Sequence, residues 1–475
     1  MNRQFEPGFT GWIGAARADI TPPVGISARN WGAARHDVAE GIHRPLTATA
    51  LALRAGPEDV PLILVALDLG WWRTRDDERY VRDALLDALA LDPARVVIAL
   101  SHTHAGPSIC REDAARPGGH LVGPYLDHVR DTVIRIARQA LANSVPSTLT
   151  WQYGRCDLAC NRDLPDPERP RLVCGFNPTP AADAAPDDTL LVGRVTGDGG
   201  RILATLVNYA CHPTTLAWEN RLISPDYVGV LREVVEAGTE GAPCLFLQGA
   251  SGELAAREQY TADIAIADAN GAQVGYAALA TLRGMLPPLT ALEYVGVMES
   301  GASLAIWKRV PHQPSTALDA RRIDIELPLK PGQSLAEVEV RLAQLQRDGS
   351  DPVLAERLLR RLRIMHSTGD GPTTCMPLWA WRIGDALLAA QPNETYSWFQ
   401  QELRRRFHPQ PILVLNIANG PYCGYLPPAS LYSEDLYPVW QTPYDTGSLE
   451  KTFEATYGLM HASGWKSRPI EAEDR

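Results

Sequence analysis

The chain has 475 residues, 45% of them hydrophobic and 21% charged, with a formal net charge of −11. This is ordinary globular composition, with enough chain to bury a core without disulfide staples. The acidic balance argues against a nucleic-acid partner and against binding to an anionic membrane surface.

No apolar run reaches the length of about 18 residues that a bilayer demands, so no stable membrane insertion is expected and no membrane-binding segment is visible. Eight cysteines are scattered without a Cys-x-x-Cys pair, a pattern that reads as reduced thiols. Met1 to Gly14 lacks a basic segment followed by an apolar one, so a cytoplasmic location is expected. Nothing in the sequence indicates an oligomeric state.

In chain order, Leu62 to Leu67 reads as a buried strand ending in Asp68-Leu69-Gly70. Thr74 with Asp77 makes a capping-box-like start to a helix through Leu91, with Tyr80, Val81, Leu85 and Leu89 at helical spacing. A second buried strand, Val96 to Leu100, runs into Ser101-His102-Thr103-His104-Ala105-Gly106-Pro107, and a helix over about 125–142 follows. Residues 157–192, rich in Pro, Asp and Asn, read as a long irregular excursion of the kind that is usually functional or disordered.

Ile202 to Cys211 is the next strand, ending in His212-Pro213-Thr214, and Cys244 to Leu247 ends in Gln248-Gly249-Ala250-Ser251-Gly252-Glu253. A helix at about 262–283 and a charged helical hairpin at about 334–363, broken at Gly349-Ser350-Asp351-Pro352, precede the strand Ala386 to Ala390. That strand leads through Pro392-Asn393-Glu394 into a helix, and Pro411 to Ile417 leads toward Gly424-Tyr425. The basic clusters Arg360-Arg361 and Arg404-Arg405-Arg406 lie in helix-like segments and read as solvated faces or helix C-termini. The alternation implies an α/β fold, a mixed and largely parallel sheet flanked by helices, with an active site at the C-terminal ends of its strands.

Those strand ends carry His102 and His104, then His212, Glu394 and Tyr425. In extended chain, residues two apart share a side, so both imidazoles of the His-Thr-His can face one point. Two satisfied structural histidines would show the same pattern. Tyr425 reads equally as a core aromatic with a bonded hydroxyl, and Glu394 as an acid in the first turn of a helix. Imidazole and carboxylate together are the borderline donor set that suits Zn²⁺, with a phenol oxygen as a further ligand.

Asp19-Ile20-Thr21-Pro22, Gly41-Ile42-His43, Asp68-Leu69-Gly70, the His102 segment, Asn161-Arg162, His212-Pro213-Thr214 and Gly424-Tyr425 occur in this order. Together they resemble the catalytic domain of the neutral (non-lysosomal) ceramidases and their bacterial relatives, over about residues 12–445. The resemblance implies a single catalytic domain over 1–475, with the hairpin at about 334–363 as an insertion and a polar tail at about 463–475. The family's C-terminal immunoglobulin-like domain is expected to be missing.

It further implies a zinc held by His102, His212, Glu394 and Tyr425, with His104 beside the metal, Arg162 facing the substrate and Tyr437 near the reacting carbonyl. Glu394 lies in Asn393-Glu394-Thr395, where the family usually has Gly-Glu-Pro, and Ala255 stands where the family has a serine. The expected function is a zinc-dependent hydrolase that cleaves a non-peptide amide, an N-acyl amide or lactam, by metal-activated water, with a small soluble molecule as its partner. An ester or lactone hydrolase, a ceramidase proper, and an inactive metal- or ligand-binding homologue remain the alternatives.

Overall fold

The computed structural model describes residues 3–178, 186–421, 424–462 and 464–465. Most of the expected polar tail, and Cys423 among the cysteines, lie outside these. A large sheet is built from β1 (Gly8–Asp19), β2 (Thr47–Arg54), β3 (Leu62–Leu67), β4 (Val96–Leu100), β5 (Val145–Arg155), β6 (Thr189–Thr196), β7 (Ile202–Tyr209) and β8 (Cys244–Gln248). Its spatial order is β8-β7-β6-β5-β1-β2-β3-β4. A second sheet follows the order β9 (Leu318–Pro328), β10 (Thr373–Ile383), β11 (Ala386–Ala390) and β12 (Ile412–Leu415).

The helices are α1 (Arg75–Leu89), α2 (Val122–Ala142), α3 (Tyr227–Ala237), α4 (Ile264–Gly284), α5 (Leu335–Asp348), α6 (Pro352–Thr368), α7 (Ser397–Phe407), α8 (Tyr437–Gln441) and α9 (Ser448–Ala462).

The α/β class holds, but the sheet is not largely parallel. Only the outer pairs of the large sheet, β7/β8 and β3/β4, run parallel; the inner pairs are antiparallel. The fully apolar runs reflected burial on both faces, which a parallel sheet shares with a sheet packed against another sheet.

Alternation within single strands makes the layering explicit. Ile63, Val65 and Leu67 of β3 pack with Val81 and Leu85 of α1 and with Val129 and Val133 of α2. Val207 of β7 and Phe246 of β8 meet Leu231 of α3 and Val274 of α4. The opposite faces, including Leu62, Leu64, Leu206 and Leu245, pack on Trp379, Trp381, Leu388 and Leu413 of the second sheet. That sheet's far face, with Leu378, Leu387 and Val414, is covered by Phe399 and Leu403 of α7 and by Phe453 and Met460 of α9. The result is a helix–sheet–sheet–helix sandwich.

Two features bring distant strand ends together. The large sheet curls until its edge strands β4 and β8 pack against each other. The segment after β12 then threads between them: Asn416 N donates to Gln248 O at 3.0 Å, Leu100 N to Ile417 O at 3.1 Å, and Asn419 N to Ile98 O at 3.0 Å. These bonds satisfy the free edge of β4, which would otherwise be an unpaired template.

The expected helical hairpin is present as α5 and α6, running on to Thr368. A Ser334/Glu337 capping box opens α5, and Asp351 caps α6. Val338, Leu342 and Leu345 pack with Leu358 and Met365 in a small core of their own. Arg363–Asp113 at 2.6 Å and Arg116–Glu356 at 3.4 Å tie the hairpin to the body.

The excursion at 157–192 is more ordered than its composition indicated, with short strands at Ala159–Asn161, Asp163–Pro165 and Leu172–Cys174 and the start of β6. Residues 179–185 within it lie outside the described set.

Among the described residues no helix is long and apolar enough to cross a membrane. An apolar surface nevertheless exists, which the absence of a visible membrane-binding segment in the sequence did not indicate. The antiparallel strands Thr290–Glu299 and Ser303–Pro311 expose Val295, Val297, Met298, Leu304 and Trp307.

Candidate active site

His102 follows β4, His212 follows β7, and Glu394 and Tyr425 follow β11 and β12. The curled sheet and the second sheet bring all four to one buried place, each no more than 3% exposed. Extended chain is not what joins the His-Thr-His pair. His102 sits at φ +68°, a left-handed conformation that costs a non-glycine residue about 1–3 kcal/mol. The kink turns the His102 and His104 rings edge to face, with centroids 4.8 Å apart.

The two buried imidazoles are held alike. His102 Nδ1 faces Gly70 O at 3.1 Å, and His212 Nδ1 faces Leu254 O at 3.1 Å. Carbonyls accept only, so both Nδ1 atoms carry hydrogen and both Nε2 lone pairs point inward, the outer arrangement that orients metal-binding histidines. The inward atoms meet one carboxylate: Glu394 lies 3.4 Å from His102 Nε2 through Oε1 and 2.5 Å from His212 Nε2 through Oε2.

Glu394 is not in the first turn of a helix, as one reading of its sequence had it. It belongs to the short strand Glu394–Thr395, parallel to Tyr425–Leu426, and Glu394 and Tyr425 are direct partners in that register. Close backbone approach here requires Gly252. Its N–H donates to Thr395 O at 2.9 Å, and a Cβ would stand 2.6 Å from the Tyr396 ring.

Arg162 is buried beneath the cluster. One guanidinium nitrogen reaches Gly252 O at 2.9 Å, the Tyr425 hydroxyl at 3.0 Å and His212 Nε2 at 3.3 Å. Electrostatics follow from this packing. Burial alone would raise the Glu394 carboxyl, but the imidazoles of His102 and His212 hold it well below the usual carboxylate range. Burial and the Arg162 charge bring His212 down to about 4, so it is neutral at neutral pH. His104 is lowered by burial and by the other two imidazoles.

His104 is placed differently from its neighbours. It is half-buried, its Nε2 lies 3.5 Å from that of His102, and its ring is flanked by Trp31 and Trp71 at 5.0 and 4.9 Å. One possible ligand atom from each of His102, His104 and His212 falls within 4.8 Å of the others, a second donor set in the same space.

A cavity of about 430 Å³ opens over the cluster, walled by Trp31, Trp71, Trp218, Tyr260 and Tyr437. The Tyr437 ring stands 5.6 Å from that of Tyr425, and burial pushes its hydroxyl up to about 12. Of these walls only Tyr437 was expected, although Trp71 and Arg73 closely follow the Asp68-Leu69-Gly70 end of β3. Ala255 does not line the cavity. It is fully buried and pairs through its backbone with Cys160 and His212.

Behind the site, both carboxylate oxygens of Glu253 accept from Ser397 N at 2.9 Å, capping α7 from another segment. Burial, against those hydrogen bonds, pushes the carboxyl from its ordinary 4.5 to about 7. The folded chain therefore holds an extra proton between those values, and this contribution to stability falls as pH rises through the window and levels off above it. Denaturant melts of wild type and Glu253→Gln across that range are expected to show wild type losing ground with rising pH. A pH-independent difference would refute the assignment.

The fold has solved counterparts. Neutral ceramidase from Pseudomonas aeruginosa superposes with a TM-score of 0.69 at 18% identity, over 98% of this chain and 76% of that one. A structure described as a ceramidase complexed with C2 gives 0.66 at 16% identity, over 98% and 77%. No protein-family model matches the sequence, and no curated protein matches it significantly. The resemblance read from the motifs thus holds for the fold, that of a neutral-ceramidase-like catalytic domain.

Proposed function

We propose that this chain is a zinc-dependent amide hydrolase acting on a small N-acyl amide or lactam, with His102, His212, Glu394 and Tyr425 as the metal ligands. The observation that carries this reading is the meeting of two carbonyl-oriented imidazoles on the two oxygens of one buried, ionised carboxylate. Neutral nitrogen donors and an anionic oxygen are the chemistry a borderline divalent cation requires. A cation held there would supply Lewis acidity, acidifying a water and polarising a carbonyl.

The chain's own groups supply the rest. Gly70 O and Leu254 O fix the tautomers of His102 and His212. Arg162, always cationic, holds the Tyr425 hydroxyl and offsets the charge of Glu394. His104, neutral and facing the cavity, accepts the proton of the attacking water and returns it to the leaving nitrogen. The Tyr437 hydroxyl stays protonated and donates to the oxygen on which negative charge develops. The aromatic walls receive the acyl portion and exclude bulk water. The free, mostly buried cysteines fit the reducing cytoplasm that this reading supposes.

The cavity volume of about 430 Å³ falls in the range of small-molecule sites, which favours a short substrate over a two-tailed lipid. Ceramide in detergent micelles, short N-acyl amides, lactams and matching esters are the comparison to make. Higher kcat/KM on the short amides or lactams is expected, whereas preferred hydrolysis of ceramide would overturn the substrate assignment. The exposed apolar hairpin at 290–311 would then become the natural place to look for lipid contact.

A further inference from the structure

Four arginines, Arg73, Arg162, Arg360 and Arg363, line the cavity against the single carboxylate of Glu394, in a chain whose net charge is −11. Two of the four are committed. Arg162 serves the buried cluster, and Arg363 donates to Asp113 at 2.6 Å. Arg73 and Arg360 are not.

Arg73 uses one nitrogen, which donates to Asn30 Oδ1 at 2.9 Å and Arg29 O at 3.2 Å. Among the described residues no carboxylate forms an ion pair with it. Among the described residues the carboxylate that Arg360 reaches is Glu356, at 3.8 Å, and Glu356 is shared with Arg116. The sequence reading of Arg360-Arg361 as a solvated face fits both, each being exposed, but Arg360 also borders the mouth of the cavity. Burial, with the charges of Arg360 and Arg363, pushes Arg73 down to about 10. Guanidinium groups crowded in one corner repel one another unless an anion joins them.

We propose that Arg73 and Arg360 bind an oxyanion, a carboxylate or phosphate, carried by the substrate at the end away from the scissile amide. This rests on the hydrolase reading of the same cavity and narrows its substrate to anionic amides such as N-acyl amino acids or amidoalkyl phosphates. The spacing fits a short molecule. The Trp71 ring is 4.9 Å from that of His104, and the Arg73 guanidinium carbon is 5.7 Å from the Trp71 ring. One indole thus separates the proton-transfer group from the anion site. The planar guanidinium fork suits either oxyanion, and α6, part of the inserted hairpin, brings the second cation to the mouth.

The test uses N-hexanoyl-β-alanine, N-hexanoyl-aminoethyl phosphate and neutral N-hexanoyl-β-alaninamide on the full chain. Wild type should prefer at least one anionic probe by about 10-fold or more in kcat/KM, and Arg73→Gln and Arg360→Gln should each cut that ratio by about as much, chiefly through KM. The better probe identifies the oxyanion. Arg360 is exposed on its helix, so its variant keeps the test open if Arg73→Gln fails to fold. Equal use of charged and neutral probes, or a ratio unchanged in the folded variants, would overturn the proposal while leaving the hydrolase reading intact. If no amide is cleaved, calorimetric titration with the same uncleaved probes decides. Binding of an anionic probe that weakens in the variants supports the oxyanion site although the hydrolase reading fails, and no binding overturns both.

Discussion

His102→Ala and His212→Ala are each expected to empty the metal site and to lower kcat/KM by at least about 10³-fold, because Lewis-acid activation is worth several kcal/mol of barrier. Each imidazole is fixed by a carbonyl on its outer nitrogen, Gly70 O for His102 and Leu254 O for His212, so neither loss can be covered by rotation of a neighbour. The substitution also reaches Glu394. Its two oxygens lie against the two imidazoles; with one imidazole removed, a cation there would have one nitrogen donor fewer beside the same carboxylate and be held less tightly. Elemental analysis should find about one zinc per wild-type chain and far less in either variant. Chelation should lower the melting temperature of wild type but not of the variants, since only a bound ligand stabilises by mass action. A wild-type chain that takes up no stoichiometric transition metal even when zinc is supplied would defeat the assignment.

The sequence revealed the site better than the sheet that builds it. Strands β3, β4, β7, β8, β11 and β12 are short, mostly apolar and followed by turn residues or by chemistry, and they include the members of the parallel pairs in the two main sheets. Missing from view were β1, β2, β5, β6, β9 and β10. Strand β1, Gly-Phe-Thr-Gly-Trp-Ile-Gly-Ala-Ala-Arg-Ala-Asp, mixes glycine, alanine and charge, and β9 exposes much of one face. Such strands show neither continuous hydrophobicity nor clean alternation, yet they are the antiparallel ones, so reading only the apolar strands produced a parallel sheet. Among site residues, types with distinctive chemistry were legible through motif order. The tryptophan walls, Tyr260, Arg73 and Arg360 were not, because a tryptophan or arginine in a cavity wall looks, in sequence, like any other. The kink at His102 was equally hidden, since φ +68° at a histidine has no compositional signature.

His104→Ala is expected to lower turnover by about 10²-fold or more while zinc content stays near wild type. The contrast with His102 is geometric. His102 and His212 each rest on a backbone carbonyl and meet Glu394, whereas His104 is half-buried between Trp31 and Trp71 and faces the cavity. Its ring is lowered in pKa by burial and by its two neighbours, so it enters the cycle as a base, and protonation makes it the acid for the departing nitrogen. A merely structural imidazole would support ring packing alone, and then His104→Phe should restore what alanine loses. A proton carrier predicts instead that phenylalanine fails. Small imidazoles added to the alanine variant should then recover part of the rate. The rival donor set of His102, His104 and His212 makes the opposite prediction for metal: zinc should fall in His104→Ala as far as in His102→Ala, and Glu394→Gln should leave it bound. Measuring metal and turnover together in these variants therefore separates a ligand, a proton carrier and a packing residue at one position.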